Sequence, residues 1–149
     1  MENSKNYSLK TALQFGEGQF IEFKESIDKS LSKEIVAFAN ASGGVIYLGI
    51  TDSGGIKGVK ITNRIKSEIQ DIARNCDPSI FVSLDSNQNV LCISVDEGIS
   101  KPYSCSDGFF LRIGANSQKM KRDEVLTLAV KTGKIRFDEQ IWNQFDWND

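Results

Sequence analysis

The chain has 149 residues, 40% of them hydrophobic and 26% charged, with a formal net charge of −2. That is the make-up of one ordinary globular domain able to bury a core, which excludes a disordered or fibrous chain. Histidine is absent, and the three cysteines, Cys76, Cys92 and Cys105, have no Cys-x-x-Cys spacing. Zinc fingers, zinc hydrolases and Ser-His-Asp or Cys-His nucleophile systems are therefore excluded, and the cysteines are expected to be reduced, small core residues. The longest nearly apolar run, Gly43 to Ile50, is far short of the ~20 residues a membrane span needs. The first eleven residues are polar, without the apolar stretch of a secretory signal. These features predict a cytoplasmic protein with no membrane partner.

In chain order, residues 20–23 read as a strand. Leu31, Ile35, Phe38 and Ala39 recur at helical spacing, with Ser30 or Ser32 as the N-cap and Gly43-Gly44 as the stop. Residues 45–51 form a β-rich run too apolar for an exposed strand, so a central position covered on both faces is expected. Asp52-Ser53-Gly54-Gly55 is turn chemistry. Ile61, Ile65, Ile69, Ile72 and Ala73 make a second helical stripe, closed by Asp77-Pro78. Residues 80–84 and 90–95 alternate like an antiparallel pair around a loop at 85–89. Residues 109–113 read as a further strand, and 122–130 as a third helix ended by Gly133. The order β-α-β-α-β-β-β-α predicts an α+β fold: a mixed, mostly antiparallel sheet packed with about three helices. The predicted domain spans residues 1–137. Residues 138–149, with Trp142, Phe145 and Trp147 among acids, read as a tail or the start of a linker to a further domain.

Charge is unevenly spread. Residues 138–149 carry a net −4, residues 57–74 a net +3 and residues 112–136 a net +5. Such basic segments are compatible with a phosphate backbone as partner; the alternative, the commoner one for charge runs in general, is a set of solvated helix faces.

With no histidine, chemistry falls to carboxylates, lysine, arginine and hydroxyls. Glu22 and Lys24 lie two apart on a strand and share a face. Glu17 precedes them, flanked by Gly16 and Gly18, and Asp52 sits where the central strand meets its turn. A two-residue period puts Asp52 on the face of Ile46, Leu48 and Ile50. If the two strands are neighbours, Glu17, Glu22 and Asp52 converge beside Lys24, a set of oxygen ligands suited to Mg²⁺ or Mn²⁺. Such a metal acidifies a bound water and steadies a phosphodiester transition state. The alternative is a surface strand carrying a Glu–Lys pair worth under ~1 kcal/mol. The glycines at 43, 44, 49, 54, 55 and 58 match neither a P-loop nor Gly-x-Gly-x-x-Gly, so no P-loop nucleotide site is expected.

The stretch from Glu17 to Lys24, the run from Ala37 through Gly43-Gly44 to Ile50, and then Asp52, Gly54 and Gly58 resemble the Schlafen/AlbA-type domain, also termed divergent AAA. Lys101-Pro102-Tyr103, Phe110 to Gly114 and Glu124-Val125-Leu126 resemble its closing strand and last helix. The resemblance covers roughly residues 12–130. Family members usually carry a hydroxyl after the Arg-x-Gly glycine, and here Ala115 stands there. The resemblance implies nucleic-acid binding. In animal Schlafens two such lobes form a horseshoe that cleaves tRNA or rRNA, with two glutamates and an aspartate as metal ligands. Glu17, Glu22 and Asp52 fall on those positions and Lys24 follows as the basic neighbour. In prokaryotes the same domain often precedes a winged helix in transcriptional regulators.

These readings together predict a metal-dependent endoribonuclease acting on structured RNA such as tRNA. Glu17, Glu22, Lys24 and Asp52 are its catalytic set, with Glu17, Glu22 and Asp52 holding the metal. Arg112, Lys119, Lys121 and Arg122 are the predicted contacts to the phosphate backbone. The alternative is a non-catalytic DNA-binding or regulatory module, with nucleotide binding as a further option. A single small lobe offers little surface to a folded RNA, so a homodimer is expected, with the tail aromatics as a candidate contact.

Overall fold

The computed structural model of the chain describes residues 8–133. The tail aromatics Trp142, Phe145 and Trp147, with Lys134 and Arg136 of the basic segment, lie outside the described residues. Four helices and seven strands follow in the order α1 (Leu9–Phe15), β1 (Ile21–Lys24), α2 (Leu31–Asn40), β2 (Gly44–Leu48), α3 (Asn63–Arg74), β3 (Ser83–Asn87), β4 (Val90–Val95), β5 (Ser104–Cys105), β6 (Gly108–Ile113), β7 (Asn116–Lys119) and α4 (Arg122–Lys131).

The strands form two sheets, a four-stranded one ordered β1-β2-β4-β3 and a three-stranded one ordered β5-β6-β7. The β1–β2 pair is parallel, with Glu22 opposite Ile46 and Lys24 opposite Leu48. Every other pair is antiparallel. The α+β class is as expected; among the described residues there are four helices where about three were expected, and two sheets in place of one.

The layering explains why α2 is apolar on more than one face. Its residues Leu31, Ile35, Val36, Ala37, Phe38 and Ala39 are all buried. Ile46, Leu48, Leu91 and Ile93 of the larger sheet and Ile69 and Ala73 of α3 share one core with it, and Phe110 of β6 closes that core from the smaller sheet. The other face of the larger sheet presents Ile21, Phe23, Val45 and Tyr47, covered by Leu9 and Ala12 of α1. The expectation that β2 is central and covered on both faces is met: all five of its residues are buried.

Several elements differ from their sequence reading. Helix α1 has no full apolar stripe to announce it; Ser8 caps it by accepting the Thr11 N–H at 3.2 Å. β2 stops at Leu48, three residues before its predicted end, because Gly49 turns the chain at φ +108. The 85–89 loop shrinks to two residues, Gln88 and Asn89, both at positive φ as a primed hairpin turn requires. β3 accordingly runs from 83 to 87 rather than from 80 to 84. Strands β5 and β7 carry too few apolar residues to be read from sequence. Thr62, by contrast, caps α3 conventionally, accepting from the Ile65 N–H at 3.2 Å. Among the described residues no helix is long and apolar enough to cross a membrane.

The candidate functional site

The face of β1 that carries Glu22 and Lys24 turns toward α2. Three segments meet there: the Gly16–Phe20 turn, the α2 face around Glu34, and the β6–β7 hairpin. Arg112 joins them. Its side chain is fully buried, facing Glu22 at 3.4 Å and Glu34 at 3.1 Å. The guanidinium also donates to Gly18 O at 2.8 Å and Ile21 O at 2.8 Å, and to Ser117 Oγ at 3.1 Å. It lies over the Phe38 ring, 4.7 Å from its centroid. Five N–H donors in a planar fork suit this arrangement; a lysine ammonium would not span it.

Arg112 was expected at a phosphate backbone. Its donors instead face inward, to carbonyls and carboxylates of its own domain. Nothing in an Arg-x-Gly triplet distinguishes an exposed strand arginine from a buried one. That difference depends on α2 supplying Glu34, a residue the sequence reading passed over. Ser117 was passed over too. It stands opposite Arg112 across the β6–β7 pair and donates a short hydrogen bond to Glu34. Gln19 completes the lock, donating to Arg112 O at 2.9 Å and accepting the Gly114 N–H at 2.8 Å.

Glu22 is 9% exposed. Burial, and a hydrogen bond with the Glu17 carboxyl, push its pKa up from 4.5 to about 7, against the opposing pull of Arg112. The Glu22 carboxyl is thus held partly protonated near neutrality, beside Glu17. Burial also raises the Glu34 pKa. Glu17 is itself exposed, so the pair reaches solvent through it.

The other expected members are elsewhere. Lys24 bonds Ser30 Oγ and pairs with Asp28 at 3.1 Å, so its ammonium serves the loop before α2. Asp52 is exposed in the turn after β2. β1 and β2 are parallel, so Glu17 and Glu22 sit at the start of that pair and Asp52 beyond its end. The face argument for Asp52 fails at Gly49: Ile46 and Leu48 belong to the α2 core, whereas Ile50 packs with Tyr47 against α1. Among the described residues no group of three or more Asp, Glu, Cys or His side chains is placed to hold a metal ion. The residues thus do not fit a three-carboxylate centre.

Lys119, Lys121 and Arg122 are all exposed, at the end of β7 and the start of α4. Glu124 accepts the Lys121 N–H at 2.9 Å and so closes the first turn of the helix without engaging either side-chain cation. Arg122 has a solvent-exposed contact with Asp123 at 3.2 Å. Lys33 of α2 lies 5.8 Å from the ring centroid of Phe110, the residue opposite Lys119 in the β6–β7 register. It adds a cation that the segment charges did not reveal.

Two packed sheets around a buried helix, with an arginine-centred carboxylate cluster between them, define a small α+β domain of specific topology. The family model described as "Schlafen, AlbA_2" matches residues 17–121, and the chain belongs to that family. Among solved structures, the DIP2311 protein from Corynebacterium diphtheriae is similar at 22% identity and a TM-score of 0.58, over 80% of this chain and 25% of that one. The N-terminal domain of a RecG-related protein from Nitrosomonas europaea is similar at 21% identity and a TM-score of 0.51, over 78% of this chain and 95% of that domain. The chain thus spans about a quarter of the first of these proteins. Both likenesses are of fold. No curated protein matches.

Proposed function

We propose that this domain binds nucleic acid, structured RNA ahead of DNA, with Lys119, Lys121 and Arg122 on the phosphate backbone. The observation that carries the reading is the exposure of these three cations in one short segment, in a chain of the Schlafen AlbA_2 family. Arg112 has no part in the contact; it holds together the fold beneath it. The test is fluorescence anisotropy with a tRNA and with a duplex DNA over a range of salt. Each phosphate contact adds about 0.7–0.9 to the slope of log K against log salt. Replacing all three residues by alanine is expected to lower that slope by roughly 2–3 and to weaken binding to any sequence. An unchanged slope refutes the assignment. Tighter binding to duplex DNA than to tRNA selects the regulatory DNA-binding reading.

A second reading, endoribonuclease, draws on the Glu17–Glu22 pair. A carboxyl poised near pH 7 is suited to take a proton from a ribose hydroxyl or return one to a leaving group. Because Asp52 stands apart, the pair by itself is assigned the proton-transfer role. Incubation of tRNA with the protein in Mg²⁺, in Mn²⁺ and in EDTA tests this. Fragments lost with Glu22→Gln support cleavage, and the EDTA arm reports whether a metal takes part. Intact RNA in all three refutes it. The homodimer is proposed on the same footing: a sedimentation mass of 16.6 kDa with and without RNA refutes it.

A further inference from the structure

We propose that Cys76 and Cys105 form a reversible intramolecular disulfide, a modification site in the wall of one surface cavity. The backbone brings them together. Asp77 and Ser104 form an isolated antiparallel bridge, exchanging both N–H···O bonds at 2.8 Å. Cys76 and Cys105 are the next residues outward on the two segments. In a regular antiparallel ladder the residues at those two places face each other in the non-hydrogen-bonded position, with Cα atoms about 4.5 Å apart and side chains on one face. That separation falls within the roughly 4.4–6.8 Å span of disulfides. Both thiols line one cavity of about 470 Å³ between α2, α3 and the β5–β6 hairpin, with Asp28, Lys29 and Ser106 on its rim.

Each sulfur now rests on a carbonyl: Cys76 Sγ on Ile72 O at 3.5 Å and Cys105 Sγ on Gly108 O at 3.6 Å. These are weak contacts that a rotation about χ1 gives up at little cost. The two thiols differ in access. Cys76 is buried, and burial, with the neighbouring Cys105 adding to it, raises its pKa to about 12. Cys105 is half-buried and open to the cavity.

Cys105 is thus the thiol that meets an oxidant. With a peroxide, its thiolate attacks one oxygen and the O–O bond breaks. One oxygen leaves as water and a sulfenic acid remains. The Cys76 sulfur then attacks the Cys105 sulfur, the S–O bond breaks and a second water leaves. Two thiols are oxidised and one peroxide is reduced to two waters; a thiol reductant reverses the change. The bond would tie the C-terminal end of α3 to the β5–β6 hairpin and close a loop of about 30 residues in the unfolded chain. Cys92 belongs to the opposite side of the larger sheet, with Val90 and Tyr47, and takes no part.

The test treats the full chain with hydrogen peroxide at low protein concentration, then counts free thiols by alkylation and mass. The expected product is a monomer with one free thiol, 2 Da lighter than the reduced chain before alkylation, whose cross-linked peptides contain Cys76 and Cys105. Its melting temperature is expected to exceed that of the reduced form by about 5–10 °C. Cys92→Ser should keep the cross-link, and Cys105→Ser should lose it. Because Cys105 is only half-buried, that variant serves where Cys76→Ser fails to fold. Three free thiols after oxidation, stable sulfinic acid at Cys105, or a cross-link through Cys92 would each overturn the proposal.

Discussion

Replacing Arg112 with alanine would expose how much of the domain hangs on one side chain. The guanidinium is fully buried between two carboxylates, Glu22 and Glu34, and fixes two carbonyls of the β1 approach. Removing one partner of a buried ionic cluster costs about 3–5 kcal/mol, because the remaining charges stay buried without compensation. A melting temperature lower by roughly 10–20 °C follows for a domain of this size. The carboxylates can escape part of this cost by taking up protons. The penalty should therefore be smaller at pH 5 than at pH 8. Arg112→Lys keeps the charge but not the fork, and an intermediate loss is expected. Urea unfolding followed by circular dichroism at both pH values measures all of this. A loss below ~1 kcal/mol for Arg112→Ala, or one that grows as pH falls, would refute the account of the cluster.

Glu22 itself makes stability depend on pH. Its folded pKa is raised from 4.5 to about 7, so the folded state binds its proton more tightly than the unfolded chain does. The stabilisation is complete below about pH 4.5 and is lost as pH rises through 7, by about 3 kcal/mol in all. Glu22→Gln should flatten that part of the curve, and parallel curves for the two proteins would show the pKa is not raised. Asn40 is buried, donates to Tyr103 O at 2.9 Å and Phe110 O at 2.8 Å, and accepts the Tyr103 N–H at 2.7 Å. Asn40→Leu should cost about 2–4 kcal/mol in urea unfolding, since three backbone groups lose their partner; a loss under ~1 kcal/mol would count against it. A Cβ at Gly44 would lie 2.4 Å from the Phe38 ring and 2.9 Å from Phe20 O. Gly44→Ala is expected to lower the melting temperature by several degrees, and an unchanged value would show that the ring can move aside.

The features that follow from local pattern are legible in the residues alone. The apolar spacing of Leu31, Ile35 and Phe38, and of Ile65, Ile69 and Ile72, produced α2 and α3 where periodicity put them. The unbroken apolar run after Gly44 marked a strand buried on both faces. The family could be read from the acidic and glycine motifs, and the exposed cations at 119–122 from charge alone. Convergence, by contrast, depends on how distant segments pack. A two-residue period carries a face assignment only while the strand continues, and Gly49 ends it, so Asp52 parted from Glu17 and Glu22. Arginine is an exposed cation or a buried clamp according to what packs over it. Glu34 and two backbone carbonyls made Arg112 the second, through contacts across 78 to 94 residues of chain that no local pattern encodes; Ser117 adds a bond from across the β6–β7 hairpin. A separate long-range pairing, the Asp77–Ser104 bridge, brought Cys76 and Cys105 to one cavity, two thiols whose sequence spacing said nothing of their meeting.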